Sequence, residues 1–594
     1  MENTGSTQHK DESSTKLSRS PFDLIVNQIW RNKSFSERWP RSSVSRFFKL
    51  SENSSENSNK AAYITENQEV GKTLLDSENK ENISKISDEL KSTDLEEQNA
   101  ARWGRVVEFT ERLGKKPHHK CMNLNNSQLT ANDAVQLAAL LPYLPTLEEL
   151  DLSWNELIGG TLKLLTNHLQ HVPKLRVLKL DSCRLSEHDI SALGVSVQLL
   201  LNIEEIDLSW NVDLGGNLSH FTQGFERDCK LKILKLIDCN LTAGDGVALA
   251  QVLSVTTKLE VLDLSMNKSV GSSLEILFRE LRNVPHLQVL KLHMCGLTRD
   301  NVQALGNALE HIPAMKKMFF SCNDIGGGFK EAASHLLNFT QLQVFDVHRC
   351  SLTEDDISAL TQIIPLLSSL EVLNLALNKN IGNSVKHLFA RLRFLPRLKN
   401  LIANNCNLTN ESIVELADSI PNLTELETLD LSWNKCLGGN LGLLVRMLQN
   451  KIRLRVLKLS SCNLTRQDMT TLVSLSRAGF LANLQKLDLT YNNSVDDQAW
   501  AMFFQEINGV TNLSELDIGL RPLTRRECDP WFTILLDSLV RLPSLSELGM
   551  QRWVMSTSQG ELLDTFNKDN KRTIHFEYSQ STCISTCRDT EVQS

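Results

Sequence analysis

The residues of this chain that could do chemistry are few and far apart. Gly71, Lys72 and Thr73 in EVGKTLL form the tail of a phosphate-binding loop, in which backbone N–H groups cradle phosphate and the lysine reaches it. The first glycine of such a loop would fall at Glu66, and no apolar strand precedes it. Cys583 and Cys587 stand four apart, but zinc would need a second ligand pair of matching spacing. His118 and His119 lie in a linker with no carboxylate in sequence reach. Metalloprotease helix, nucleophile elbow and dinucleotide fingerprint are all missing from the sequence. Local spacing therefore predicts no enzyme, no cofactor and no metal.

Charge narrows the partners. With 63 basic and 71 acidic residues the formal net charge is -8, which gives no global field that would favour nucleic acid. The start, MENTGSTQHKDESS, lacks the plan of a signal peptide, and no stretch reaches the ~18 apolar residues of a membrane span. The 13 cysteines are an odd number, and six of them recur at one repeat position, so they read as reduced thiols rather than a disulfide framework. The expected location is cytoplasmic.

The elements that must position any binding residues are repetitive. Residues 1–94 are rich in Ser, Asn, Glu and Lys and read as a disordered arm. Within it, residues 16–49 carry eight basic against two acidic residues among Phe22, Trp30, Phe35, Trp39, Phe47 and Phe48. That composition suits a segment folding on a partner, with Trp30, Trp39 and Phe47 as a second contact. Arg38, Arg41, Ser42 and Ser43 also match a basic-directed phosphorylation site. Residues 95–120 predict an amphipathic capping helix through Trp103, Val106, Val107 and Leu113. From a degenerate unit at 121, repeats begin at 147, 175, 203, 231, 259, 287, 315, 342, 370, 398, 426, 454, 484 and 513. Each reads L-x-x-L-x-L-x-x-[N/C]-x-L followed by a helical stretch, the signature of a leucine-rich repeat.

Helices pack ~8–10 Å apart and strands ~4.8 Å apart, so a stack of such units must curve. The expected fold is an α/β leucine-rich repeat solenoid, a horseshoe with a concave parallel β-sheet of sixteen strands and convex α-helices. Repeats span 121–544, a C-terminal cap 545–576, and a flexible tail 577–594. Two repeat types alternate. One ends its strand in Asn155, Asn211, Asn267, Asn323, Asn378, Asn434 or Asn492, and the other in Cys183, Cys239, Cys295, Cys350, Cys406 or Cys462. A buried asparagine can donate to and accept from neighbouring turns, while cysteine fills the slot as a small apolar group. Thr130 with Asp133, Ser186 with Asp189, Thr242 with Asp245, Thr353 with Asp356, Thr465 with Asp468 and Thr524 with Glu527 have capping-box spacing.

The alternation of LDLSWNELIGG with LKLDSCRLSEHD resembles the ribonuclease inhibitor-like class of leucine-rich repeats over residues 121 to about 576. The resemblance implies a binding protein with 28-residue repeats and supplies no catalytic residues. Ribonuclease inhibitors present a strongly acidic concave face to basic enzymes, and the similar repeats of Ran GTPase-activating proteins act on a GTPase. Either would make this chain an inhibitor or activator of a partner enzyme.

The residue between the last two leucines of each strand points into the concave space. Along the array this column reads Asp151, Lys179, Asp207, Lys235, Asp263, Lys291, then Phe319, Asp346, Asn374, Ile402, then Asp430, Lys458, Asp488, Asp517. Charges alternate until Phe319 and Ile402 break the ladder, where His293, Met294, His348, Arg349, Leu377 and Asn404 stand nearby. A protein-binding patch of His293, Phe319, Asp346, His348, Arg349, Leu377, Ile402 and Asn404 is expected there, because aromatic residues and arginine dominate interface energetics. The competing reading is local repacking around the 27-residue repeat. The function expected is a non-enzymatic intracellular scaffold for protein partners. Trp154, Trp210 and Trp433 are each followed five residues later by Gly-Gly, which predicts that each indole lies over its own loop. The repeat of Cys322 keeps the glycines without the ring.

Overall fold

The computed structural model describes residues 92–226, 229–443 and 453–580. The basic-aromatic segment with Trp30, Trp39 and Phe47, the loop-like EVGKTLL, the phosphorylation match and the Cys583/Cys587 pair lie outside them. The described residues form one sheet of 18 strands, every pairing parallel and each repeat strand bonded to the next. Most strands are three residues long with a buried centre, as in Glu149–Asp151 around Leu150 and Val177–Lys179 around Leu178. Helices or 3-10 turns follow each strand and pack on the opposite side, so leucines from both layers form one continuous core. This is the leucine-rich repeat solenoid. Two strands exceed the sixteen expected: Arg526–Glu527, which pairs with the far half of Glu547–Met555, and His575–Gln580, which closes the sheet and runs past residue 576. The first lies in the last, lengthened repeat and the second at the end of the C-terminal cap, where the repeat length no longer signals register.

The asparagine column holds the turns together. Asn211 Nδ2 donates to Leu180 O and Leu208 O, both at 2.9 Å, while its Oδ1 accepts from Cys183 N and Leu185 N at 3.1 Å. The pattern recurs at Asn155, Asn267, Asn323, Asn378, Asn434 and Asn492. Each such residue satisfies backbone groups of two repeats in a place water does not reach. The ladder cysteines donate weakly to carbonyls of the preceding repeat, Cys183 Sγ to Leu152 O at 3.2 Å for example, and no cysteine among the described residues is bridged. Burial pushes their thiols up, to about 12 at Cys295 and Cys406, which leaves them inert near neutral pH.

Capping boxes form at Thr130/Asp133, Ser186/Asp189, Thr242/Asp245, Thr353/Asp356 and Thr465/Asp468, and also at Thr298/Asn301 and Thr409/Ser412. The expected pair Thr524/Glu527 makes none. Glu527 is drawn into a strand, and the helix begins at Asp529 after an N-cap Cys528 whose side chain does not cap it. Arg526 explains the shift, since its guanidinium donates to Val495 O and Asp497 Oδ1 and anchors that stretch as extended chain.

The glycine pairs have a cause other than the indoles. A Cβ on Gly159 would sit 2.1 Å from the carbonyl oxygen of Arg184 in the next repeat, and Gly215, Gly382 and Gly438 face the same obstruction. Gly160 has φ +84, and its N–H donates to Asp189 Oδ2 at 2.6 Å while Leu162 N donates to Asp189 Oδ1. The same clasp joins Gly216 to Asp245, Gly327 to Asp356 and Gly439 to Asp468. Where the cap residue is Asn301 or Ser412, the loops read Gly271-Ser272 and Gly382-Asn383. Gly-Gly therefore accompanies the aspartate of the following cap, which accounts for the Cys322 repeat. Trp154, Trp210 and Trp433 are half-buried in the left-handed region (φ 61, 63 and 63). The Trp433 ring meets Tyr491, two repeats on, edge to face at 6.0 Å.

The two ends are closed differently. The N-terminal helix Ser92–Arg112 buries Val106 and Phe109 against the first repeat, and Trp103 stacks on His119 at 3.6 Å. The C-terminal end is filled by Trp500, Trp531, Trp553, Phe503 and Phe504, with Trp531 and Trp553 edge to face at 4.9 Å.

Candidate binding surface on the strand face

The sheet register places the column residues side by side: Lys291 beside Phe319, Phe319 beside Asp346, Asp346 beside Asn374, Asn374 beside Ile402, and Ile402 beside Asp430. In the regular repeats the charge ladder closes at Lys235–Asp207 (3.5 Å), Lys291–Asp263 (3.0 Å) and Lys458–Asp430 (3.7 Å). Its aspartates have a second role that the pattern did not reveal. Asp151, Asp207, Asp263, Asp430 and Asp488 each accept the N–H two residues on, and so cap the end of their own strand. Asp181, one turn from the column, is pushed up to about 6 by burial, with Asp207 and Asp151 adding repulsion, although Ser153 donates to it.

At the interruption the backbone is unchanged and the side chains differ. Phe319 is half-buried with the Lys291 ammonium 5.8 Å from its ring centre. Beneath it, Phe320, Phe329 and Phe345 take positions that leucine fills elsewhere, with Phe329 and Phe345 edge to face at 5.6 Å. The shortened repeat there has the four-residue helix Phe329–Ala332. Local repacking is thus present, and the surface residues rest on it. Arg349 is exposed, whereas Leu377, Ile402 and Asn404 are half-buried further along the face.

Three residues of the expected patch, His293, Asp346 and His348, lock together with three that were not in it, Ser321, Cys322 and Asn374. His348 Nδ1 is 2.8 Å from Asp346 Oδ1, and the amide of Asn374 lies 3.3 Å from the same nitrogen. Its Nε2 lies 3.6 Å from Cys322 Sγ. His293 Nδ1 is 2.7 Å from the Ser321 hydroxyl, and the two imidazole rings are 5.9 Å apart. Burial alone would lower His348, but the hydrogen bond to Asp346 and the contact with Cys322 outweigh it and hold the imidazole at about 9. Burial and repulsion from His348 lower His293. Sequence reading missed the grouping because its members lie 29 and 26 residues apart, and only the repeat period makes them neighbours. The signal was nonetheless present: two histidines stand where Asp181, Ile237, Asn404 and Ser460 stand in the other cysteine-type repeats, and Cys322 stands in the tryptophan slot. On the helix side, an open groove of about 900 Å³ between Glu354–Ile363 and Val385–Arg391 is lined by Asp355, Lys386, Arg391 and Phe394 among others.

Among known proteins, the leucine rich repeat profile matches residues 143–161. The chain is 28% identical over 405 residues to a ribonuclease inhibitor of Sus scrofa, covering 67% of this chain and 87% of that protein. It is 30% identical over 349 residues to NACHT, LRR and PYD domains-containing protein 3 of Macaca mulatta, covering 56% of this chain and 32% of that protein. A solved structure, the yeast Rad7 and Elc1 complex, is similar with a TM-score of 0.40 and 17% identity, covering 72% of this chain and 90% of that one.

Proposed function

We propose that this protein, a leucine-rich repeat protein of ribonuclease inhibitor-like architecture, is a non-enzymatic cytoplasmic scaffold that holds a protein partner on its strand-lined face. The observation that carries this reading is the break in the charge ladder. A regular, self-neutralising row gives way to Phe319 and Ile402 with the exposed residue Arg349 at its rim, an aromatic and arginine composition suited to an interface. A rigid parallel sheet presents these residues at little cost in conformational entropy on binding. The arm residues Trp30, Trp39 and Phe47 supply a second, flexible contact in this reading, and nucleic acid is not a partner. Among the described residues no helix is long and apolar enough to cross a membrane. Changing Phe319→Asp and Arg349→Glu together is expected to abolish recovery of the partner while leaving the melting temperature alone. Unchanged recovery overturns the surface.

The second reading is an inhibitor or activator of a partner enzyme. It is favoured by similarity over 87% of the length of a ribonuclease inhibitor. Against it, the alternating column lacks the one-sided acidity that a basic enzyme would demand. Titrating a pancreatic-type ribonuclease with the protein, and assaying GTP hydrolysis by a panel of small GTPases in its presence, separates the two readings. The scaffold reading expects no change in either rate.

A further inference from the structure

Among the described residues, His293, Cys322 and His348 are the one group of three or more histidine, cysteine or acidic side chains whose donor atoms all lie within 4.8 Å of one another. The geometry points to a binding site for a zinc-class divalent cation on the strand face, held by the two imidazoles and the Cys322 thiolate, with a fourth position open to water or an incoming donor. Around tetrahedral zinc, with bonds of roughly 2.3 Å to sulfur and 2.0–2.1 Å to nitrogen, neighbouring donors stand roughly 3.4–3.7 Å apart. Cys322 Sγ and His348 Nε2 are already at 3.6 Å. A shift of about 1 Å by the half-buried His293 ring, within reach of a side-chain adjustment, closes the remainder.

The surroundings fit a ligand set. Asp346 Oδ1, 2.8 Å from His348 Nδ1, accepts the hydrogen bond of that N–H and leaves Nε2 facing the sulfur, where a cation would displace the second imidazolium proton; this is the carboxylate–histidine arrangement that orients and strengthens imidazole ligands. His293 is fixed in the same way by the Ser321 hydroxyl. The internal repeats supply a comparison. The slot of Cys322 holds Trp154, Trp210, Met266, Leu377, Trp433 and Tyr491 in the other repeats of its type, all with φ between 61 and 68. In this one repeat the large side chain is withdrawn and a small thiol replaces it, in the position that two histidines reach from either side. The chain Cys322–His348–Asp346 could also describe a thiol activated by an imidazole. His293 has no part in such a relay, and its presence is what favours a metal.

The site shares His293, Asp346 and His348 with the proposed partner surface, but its occupation needs no protein partner and is tested without one. The test uses the full chain carrying Cys583→Ser and Cys587→Ser, stripped with a chelator and titrated with Co²⁺ near neutral pH. A single saturable equivalent with a thiolate-to-cobalt absorption band, displaced by Zn²⁺, is expected. Cys322→Ser should abolish the band, His293→Gln should weaken binding, and Asp346→Asn should weaken it by about 10–100-fold. Cys436→Ser, another half-buried thiol, should change nothing. Near-ultraviolet circular dichroism establishes that each metal-free variant is folded. In the wild type, Zn²⁺ should also protect Cys322 from iodoacetamide. The absence of a saturable band, a band that survives Cys322→Ser, affinity indifferent to His293→Gln, or alkylation of Cys322 unaffected by Zn²⁺ would each overturn the site.

Discussion

The repeats from Asp151 to Lys291 and the stretch from His293 to Asn404 share one backbone and differ in what they display. Asn323 bonds the same four groups as Asn155, Cys322 has φ 60 where Trp154 has φ 61, and the parallel register runs through without a break. One region spends its outward positions on serine turns, aspartate caps and indoles. The other keeps Ser321 and the Asp346 cap but adds histidines, a thiol, an arginine and a phenylalanine over a phenylalanine core. A solenoid can thus exchange its surface chemistry one repeat at a time, because the asparagine hydrogen bonds and strand register that hold the backbone do not involve the outward residues that vary.

Four measurements break or sharpen this comparison. The largest effect is expected at the asparagines. Asn211→Ala and Asn323→Ala each strand buried donors and acceptors of two repeats and should cost about 3–5 kcal/mol, equal within about 1 kcal/mol if the frame is common to both regions. Paired chemical denaturation curves measure this, and a much cheaper loss at Asn323 would make the centre a separate structure. Next, Gly159→Ala drives a Cβ against a backbone carbonyl and should destabilise by about 3 kcal/mol, whereas Gly160→Ala has open space and meets mainly the cost of positive φ, about 1 kcal/mol. If the two were equal, the obstruction at Gly159 would be without consequence.

Third, Asp181 titrates at about 6 in the folded chain against the ordinary aspartate value of 3.8, so the folded state holds its proton more tightly. Stability from this group is full below about pH 4 and is lost as pH rises through about 6. Asp181→Asn should therefore raise stability near pH 7 by about 1–2 kcal/mol, with the gain vanishing below about pH 4. Melting curves across that range check it. Smallest, Cys322→Trp returns the slot to its usual occupant and should change stability by less than about 1 kcal/mol, read as a melting temperature. A large loss would mean that the centre has lost room for the indole.

The repeat length, strand register, asparagine column and most helix caps were legible in the sequence, because each depends on residues at a fixed spacing within one unit. Thr524 and Glu527 had the right spacing and failed, because Arg526 between them was claimed by Val495 and Asp497 of the preceding repeat. The tryptophan–glycine association was real but misattributed: the partner of Gly160 is Asp189, 29 residues on. The grouping of His293, Cys322 and His348 lay hidden for the same reason. Contacts across repeats are local in space and distant along the chain, so the column break at Phe319 and Ile402 and its neighbours His293, His348 and Arg349 could be picked out in advance, but not which of them meet.

The clasp between each cap aspartate and the glycine loop before it runs in one direction along the chain. Asp189 completes the loop of residues 159–162, Asp245 that of 215–218, Asp356 that of 326–329 and Asp468 that of 438–441. A repeat of this kind is therefore finished by its successor. As the chain leaves the ribosome, each of these loops must wait about one repeat length of further synthesis, so the growing end always carries an unsatisfied turn. The indole-filled cap at the C-terminus is where that succession can stop.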